Sequence, residues 1–155
     1  MDPIQLLKKQ HREVEALFKK IEKIRSAEQR RALMLELASN LKLHMKIEEE
    51  IFYPAVQQLP AKKAEDMTLE AYEEHAVVKL VLAGLPGVDP EDERFDAKMT
   101  VLSELIEHHV EEEEDEMFVT AKKLGAAELN ALGSRMAAEV EAMKGPGAPR
   151  RRRAA

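Results

Sequence analysis

Apolar residues return every three or four positions along almost the whole of this 155-residue chain. That interval turns one face of an α-helix toward a core. The first helix is predicted to open at Asp2 as a cap, with Pro3 in the first helical position and Gln5 placed as a capping-box partner. Its stripe is Ile4, Leu7, Val14, Phe18 and Ile21, with His11 in line. A second helix starts at Ser26, where Gln29 completes a similar box, and carries Leu37, Leu41, His44, Glu48, Ile51 and Ala55 to a bend at Pro54 and a stop at Pro60. The third, over 61–85, has the stripe Ala71, His75, Val78, Leu82 and Leu85. After a loop from Gly84 to Pro90, a fourth helix over 91–124 aligns Phe95, Met99, Leu102, Ile106, His109, Glu113 and Met117, and Gly125 stops it. A shorter amphipathic helix follows, with Leu129, Leu132, Met136, Val140 and Met143 on one side.

Four long helices with short connections predict an all-α fold, an up-down-up-down four-helix bundle with an additional short C-terminal helix. The domain is expected to span 1–143, with the bundle over 1–125 and the accessory helix over 126–143. Residues 144–155 read as a disordered basic tail, in which Arg150 to Arg153 serves either an anionic surface or solubility. A helical repeat array would need a period repeated several times, and the chain shows a single duplication. Composition agrees with helices: 35% of residues are charged and only 4% aromatic. The absence of cysteine excludes disulfides, thiolate catalysis, zinc fingers and cysteine-ligated clusters. A net charge of −6 argues against nucleic acid as a partner of the bundle. No apolar run suits a membrane span and no secretory leader opens the chain, so a cytoplasmic location is expected.

The stripes contain residues that do not belong in an apolar core: His11, His44, Glu48, His75, His109 and Glu113. Buried carboxylates need a partner or a metal. Counted from the connections, each histidine stands roughly 13 to 18 residues from the turn it shares with the next, which at about 1.5 Å per residue brings all four helices' side chains to one level. The spacing is also duplicated. His44-x-x-x-Glu48 recurs as His109-x-x-x-Glu113 at an offset of 65, and His11 recurs as His75 at 64. A His–Glu pair four apart puts imidazole and carboxylate on one helix face. His11/Glu15 and His108/Glu112 share the spacing, but Glu15 lies off the stripe, and His108 is rotated about 100° from His109 to an outer or surface position.

The arrangement His11…His44-x-x-x-Glu48…His75…His109-x-x-x-Glu113, with the stretches LKLHMKIEEEIFYPAV and LIEHHVEEEEDEMFVTAKKL, resembles the hemerythrin-like HHE cation-binding family. The resemblance covers about residues 1–125. It implies a non-haem di-iron site of two Fe ions, bridged by oxo or hydroxo and by carboxylates. His11, His44, His75 and His109 would be terminal ligands, and Glu48 and Glu113 bridges. The oxygen-carrying members use five histidines with a His-x-x-x-His pair, and no two histidines here are four apart. The chain is therefore similar to the four-His, two-Glu branch, associated with peroxide or oxygen stress, nitric oxide and iron handling.

Other metal frameworks fit less well. No Glu-x-x-His pair of the ferritin-like kind precedes any of the histidines, and no His-Glu-x-x-His is present. Zinc or manganese can occupy a nitrogen and oxygen site, and iron suits mixed His and Glu ligands at two centres. Two octahedral irons take about twelve positions, of which the implied ligands fill about ten, leaving about two for a small ligand. Val14, Ile47, Val78 and Ile106 are expected to wall them. A diatomic or peroxide is the expected reactant, with catalase-like peroxide decomposition as one outcome and an external electron donor for any redox cycle. An oxygen- or iron-sensing or storage module without turnover, and a structural metal with a docking fifth helix, are the alternatives. Tyr72, one turn from His75, is a candidate donor or extra ligand as well as a packing residue. The run Glu111 to Glu116 reads as a solvated face with Glu113 its inward exception, and Met34, Met99 and Met117 read as core filler.

Overall fold

In the computed structural model, which describes residues 1–145, α1 (Pro3–Lys23) begins as the sequence requires. The Asp2 carboxylate accepts from the Ile4 N–H at 2.9 Å, and Pro3 occupies a position that needs no donor. Ser26 caps α2 (Ala27–Ile47) by accepting from the Gln29 N–H. The second rod then widens into a π-helical turn, π1 (Glu48–Phe52), and resumes as α3 (Tyr53–Gln57). After Pro60, α4 (Lys62–Gly84) returns and closes in a short 3₁₀ turn (Leu85–Gly87). The fourth rod is α5 (Glu93–Glu112), π2 (Glu113–Met117) and α6 (Phe118–Ala121), ending in a 3₁₀ turn (Lys122–Leu124). Gly125, at φ +88° and ψ 159°, supplies a backbone shape open essentially to glycine alone, and α7 (Ala126–Lys144) turns away from it. Among the described residues there is no strand, and no helix is long and apolar enough to cross a membrane.

The fold is thus an all-α bundle of four helical rods with an extra helix. Its core falls into two apolar clusters separated by the histidine layer. Along α1 the boundary passes between Leu7 and Val14 at His11; along α4 it passes between Ala71 and Val78 at His75. Phe52, Tyr53, Val56 and Phe118 fill one end, and Leu37, Phe95 and Leu102 the other. The accessory helix α7 lies on α1, α2 and π1 and adds Leu132, Met136 and Val140 to the first cluster. It comes so close that a Cβ on Gly133 would stand 1.9 Å from the Met1 carbonyl oxygen.

Periodicity misplaces a few residues. Phe18 is half-buried because Leu17 takes the inward place on α1. Met143 is 38% exposed, since α7 runs past the edge of the bundle there. Ala55 is half-buried, because the wide turn π1 shifts the stripe to Phe52, Tyr53 and Val56. Met34, Met99 and Met117 are buried. The tail expected over 144–155 lies outside the described residues beyond Gly145.

Candidate metal centre

Each of the four rods brings one imidazole to the middle layer, and each imidazole is tethered from outside. His11 Nδ1 lies 3.0 Å from Glu114 Oε1, His44 Nδ1 2.7 Å from Gln10 Oε1, His75 Nδ1 3.2 Å from Glu49 Oε2, and His109 Nδ1 3.0 Å from Glu74 Oε1. Ionised carboxylates and amide oxygens only accept, so Nδ1 carries the proton in all four rings. The Nε2 lone pairs then face inward, the state in which imidazole binds a metal. The tethers obey the duplication. Gln10 and Glu74 immediately precede His11 and His75, and Glu49 and Glu114 immediately follow Glu48 and Glu113. None of the four was singled out from the sequence, although the offsets of 64 and 65 were the signal that could have found them.

Glu48 and Glu113 are buried at the ends of α2 and α5, where the π turns begin. Their oxygens divide between two groups of nitrogens. His44 Nε2 is 2.9 Å from Glu48 Oε1 and His11 Nε2 is 3.2 Å from Glu113 Oε2. On the other side, His75 Nε2 is 3.1 Å from Glu48 Oε2 and His109 Nε2 is 3.0 Å from Glu113 Oε1. The result is two sets of four ligand atoms, His11, His44, Glu48, Glu113 and Glu48, His75, His109, Glu113, each within 4.8 Å and sharing both glutamates. In the first set His11 Nε2, His44 Nε2, Glu48 Oε1 and Glu113 Oε2 are buried without a hydrogen-bond partner. Buried polar atoms are rarely left so. Their convergence is the arrangement a cation satisfies.

The second set holds a residue the sequence did not single out for this role. In π1 the Tyr53 N–H bonds to the Glu48 carbonyl, five residues back, and in π2 Phe118 bonds likewise to Glu113. In an α-helix residues five apart are about 140° apart around the axis; a π turn stacks them. The Tyr53 hydroxyl donates toward Glu113 Oε1 and Glu48 Oε2 (3.1 Å to the latter) and stands 3.1 and 3.3 Å from Nε2 of His75 and His109. One proton cannot serve four acceptors. The duplicate position is Phe118, whose ring stacks on His11 at 5.8 Å between centroids. The two halves of the centre are therefore chemically unequal.

Residues 2–121 match the hemerythrin HHE cation-binding domain family. The chain belongs to that family. Over 148 residues, 94% of this chain and 89% of the relative, it is 28% identical to Rv2633c, an uncharacterised protein of Mycobacterium tuberculosis. A crystal structure of the Rv2633c homologue from Mycobacterium kansasii, described as a hemerythrin HHE cation-binding domain-containing protein, superposes with a TM-score of 0.82 at 28% identity, covering 94% of this chain and 88% of that one. A DNA nickase from Nostoc sp. is 23% identical over 117 residues, only 32% of its own length.

Electrostatics in this HHE site are those of a cluster competing for protons. Burial opposes charge on His109 and His11, yet Glu113 beside both, with Glu48, holds His109 well above and His11 above the usual imidazole range. Burial likewise pushes the two carboxyls up, and Glu113 also pushes Glu48 the same way, but the imidazoles prevail: His109 and His11 hold Glu113 well below the usual carboxylate range, and His44 and His75 lower Glu48. Burial, followed by Glu113 and Glu48, pushes Tyr53 well above an ordinary phenol. Beside the four imidazoles is a cavity of about 10 Å³, walled by Val14, Leu41, Met45, Ile106 and Val110. Val14 and Ile106 take the place expected of them; Ile47 and Val78 do not line it. A groove of about 570 Å³ along α1 and α5 reaches Val14, Ile106 and Val110 from outside.

The remaining candidates fall away from this layer. Tyr72 turns its hydroxyl to the Glu49 carbonyl at 3.0 Å, packing edge-on to Tyr53 at 5.3 Å. Glu15 is exposed and pairs with Lys19. The His108 side chain is 65% exposed, at 3.1 Å from Glu112. In the acidic run, Glu113 is inward as expected, and Glu114 is half-buried because His11 and Arg12 hold it.

Proposed function

We propose that the chain is a non-haem di-iron protein that reacts with small oxidants, hydrogen peroxide, oxygen or nitric oxide. One ion would be held by His11 and His44, the other by His75, His109 and the Tyr53 oxygen, with Glu48 and Glu113 shared. The observation that carries the reading is the pair of four-atom sets sharing two glutamates, with four buried ligand atoms unpartnered in one and a single hydroxyl facing four acceptors in the other. Imidazole, carboxylate and phenol together suit iron better than zinc or magnesium. Such a pair of ions supplies two-electron exchange with a bound oxidant. The chain's own contribution is placement and exclusion. Four Nδ1–H bonds lock the ring orientations. The apolar walls of the small cavity admit a molecule near the size of water and leave no room for an organic substrate. Val14, Ile106 and Val110 separate that cavity from the outer groove, which offers the oxidant its approach.

Elemental analysis of protein from iron-replete aerobic cells tests this reading. About two irons per chain are expected, with azide producing a new charge-transfer band and oxygen released from peroxide in proportion to iron. One metal per chain, or zinc alone, would sink it. Gas binding that alters shape or partner affinity without peroxide turnover would instead select a sensing or storage module.

A further inference from the structure

Three carboxylates stand immediately outside the imidazoles, and two of them are neutralised. Glu49 pairs with Lys79 at 2.8 Å, and Glu114 pairs with Arg12 at 3.1 Å. Glu74, which holds His109, has no lysine or arginine partner among the described residues; its second oxygen faces His108 Nε2 at 3.9 Å, and His108 lies 3.1 Å from Glu112. One ligand atom from each of Glu74, His108 and Glu112 lies within 4.8 Å of the others. An imidazole nitrogen and two carboxylate oxygens form a donor set for a divalent transition-metal ion. What the first two carboxylates have and this third lacks is a cation.

A cavity of about 50 Å³ lies beneath. Glu70, Glu74, Glu112 and Glu116 line it together with Glu113, a residue that is 1% exposed. The acidic rim concentrates cations, and Glu113, which lines the cavity, is one of the two glutamates shared by the buried sets. This opening, along α4 and α5, is distinct from the groove along α1 and α5.

We propose that Glu74, His108 and Glu112 form a third, surface cation site for a labile divalent metal ion, at the mouth of a passage to Glu113 through which the buried centre is loaded. Capture at the surface is independent of what the buried layer holds; the loading role rests on the dinuclear reading above. His108, the one histidine outside the buried layer, then has a function.

The probe is Mn²⁺ alone, added to iron-loaded protein, with binding counted by equilibrium dialysis and located by paramagnetic broadening. One additional ion per chain is expected, with selective broadening of the His108 ring protons. His108→Ala and Glu112→Gln should each weaken that binding by about tenfold or more, with buried iron unchanged. Metal-free protein should take up Fe²⁺ several-fold more slowly in both variants and reach the same final content. Absence of the additional ion, or equal Mn²⁺ affinity in wild type and variants, overturns the surface site. Equal uptake rates alongside a lost Mn²⁺ site overturn the passage. Should the buried centre hold fewer than two ions, the end-point content would drop while the Mn²⁺ titration at His108 stayed as expected, so the two readings fail separately.

Discussion

At Tyr53 one hydroxyl faces two carboxylate oxygens and two imidazole nitrogens, while its duplicate, Phe118, presents only a ring. Tyr53→Phe should therefore preserve the fold and change one ion alone. We expect the second ion to bind about tenfold or more weakly, and the ferric protein to lose visible absorption from phenolate-to-iron charge transfer. An unchanged spectrum and titration would place the hydroxyl outside the coordination sphere. The outer tethers act one step further away. Glu114 both orients His11 and takes Arg12, so Glu114→Ala frees the His11 ring and should reduce metal affinity by about 10- to 100-fold, the usual effect of losing such a partner. A competitive chelator titration measures it, and a result within twofold of wild type would contradict the argument.

The elements explain why some of these residues were visible in the sequence and others were not. The stripes of α1, α4 and α5 follow the helical period, so His11, His75 and His109 stand out among apolar neighbours. Tyr53 does not, because five residues after Glu48 is the wrong face of an α-helix, and only the wide turn π1 brings it round. Nothing in a 3.6-residue periodicity marks an inserted residue. The docking of α7 is a second such case. Gly133 reads as an indifferent helix position, yet it is where α7 meets the Met1 and Pro3 backbone. Gly133→Val should push α7 from the start of α1 and cost about 1–3 kcal/mol by overpacking, seen as a melting temperature several degrees lower. An unchanged melting temperature would mean that the N-terminus moves aside freely.

For the whole molecule, the histidine layer makes stability depend on what occupies it. Without metal, His11 and His109 bind protons more tightly in the folded chain than at the unfolded value of about 6.5. Their contribution is fully present below that value and lost as pH rises through their folded pKa, because the folded state then releases protons the unfolded state has already lost. Glu48 and Glu113 run the other way: their lowered pKa contributes stability above the usual glutamate value of about 4.3, lost as pH falls through the folded one. Metal-free protein should thus lose melting temperature as pH rises above about 6.5, and loaded protein should not, because a cation takes over the Nε2 atoms. Acid should release the metal as the imidazoles protonate. Melting curves of both forms across pH check this; parallel curves would show that the layer is not a metal site.

Sequence alone determined the all-α bundle, the helix caps at Asp2 and Ser26, and the convergence of four histidines and two glutamates on one level. Each follows from local chemistry or from a repeat spacing counted along a rod of known rise. Only the tertiary structure decided which oxygens and amides tether the rings, that Tyr53 rather than Tyr72 faces the centre, and that Glu74, unlike Glu49 and Glu114, has no lysine or arginine partner among the described residues. These depend on a widened turn and on side chains meeting across helices. One-dimensional spacing does not carry that information, since residues such as Glu74 and His109 are neighbours only once the rods pack.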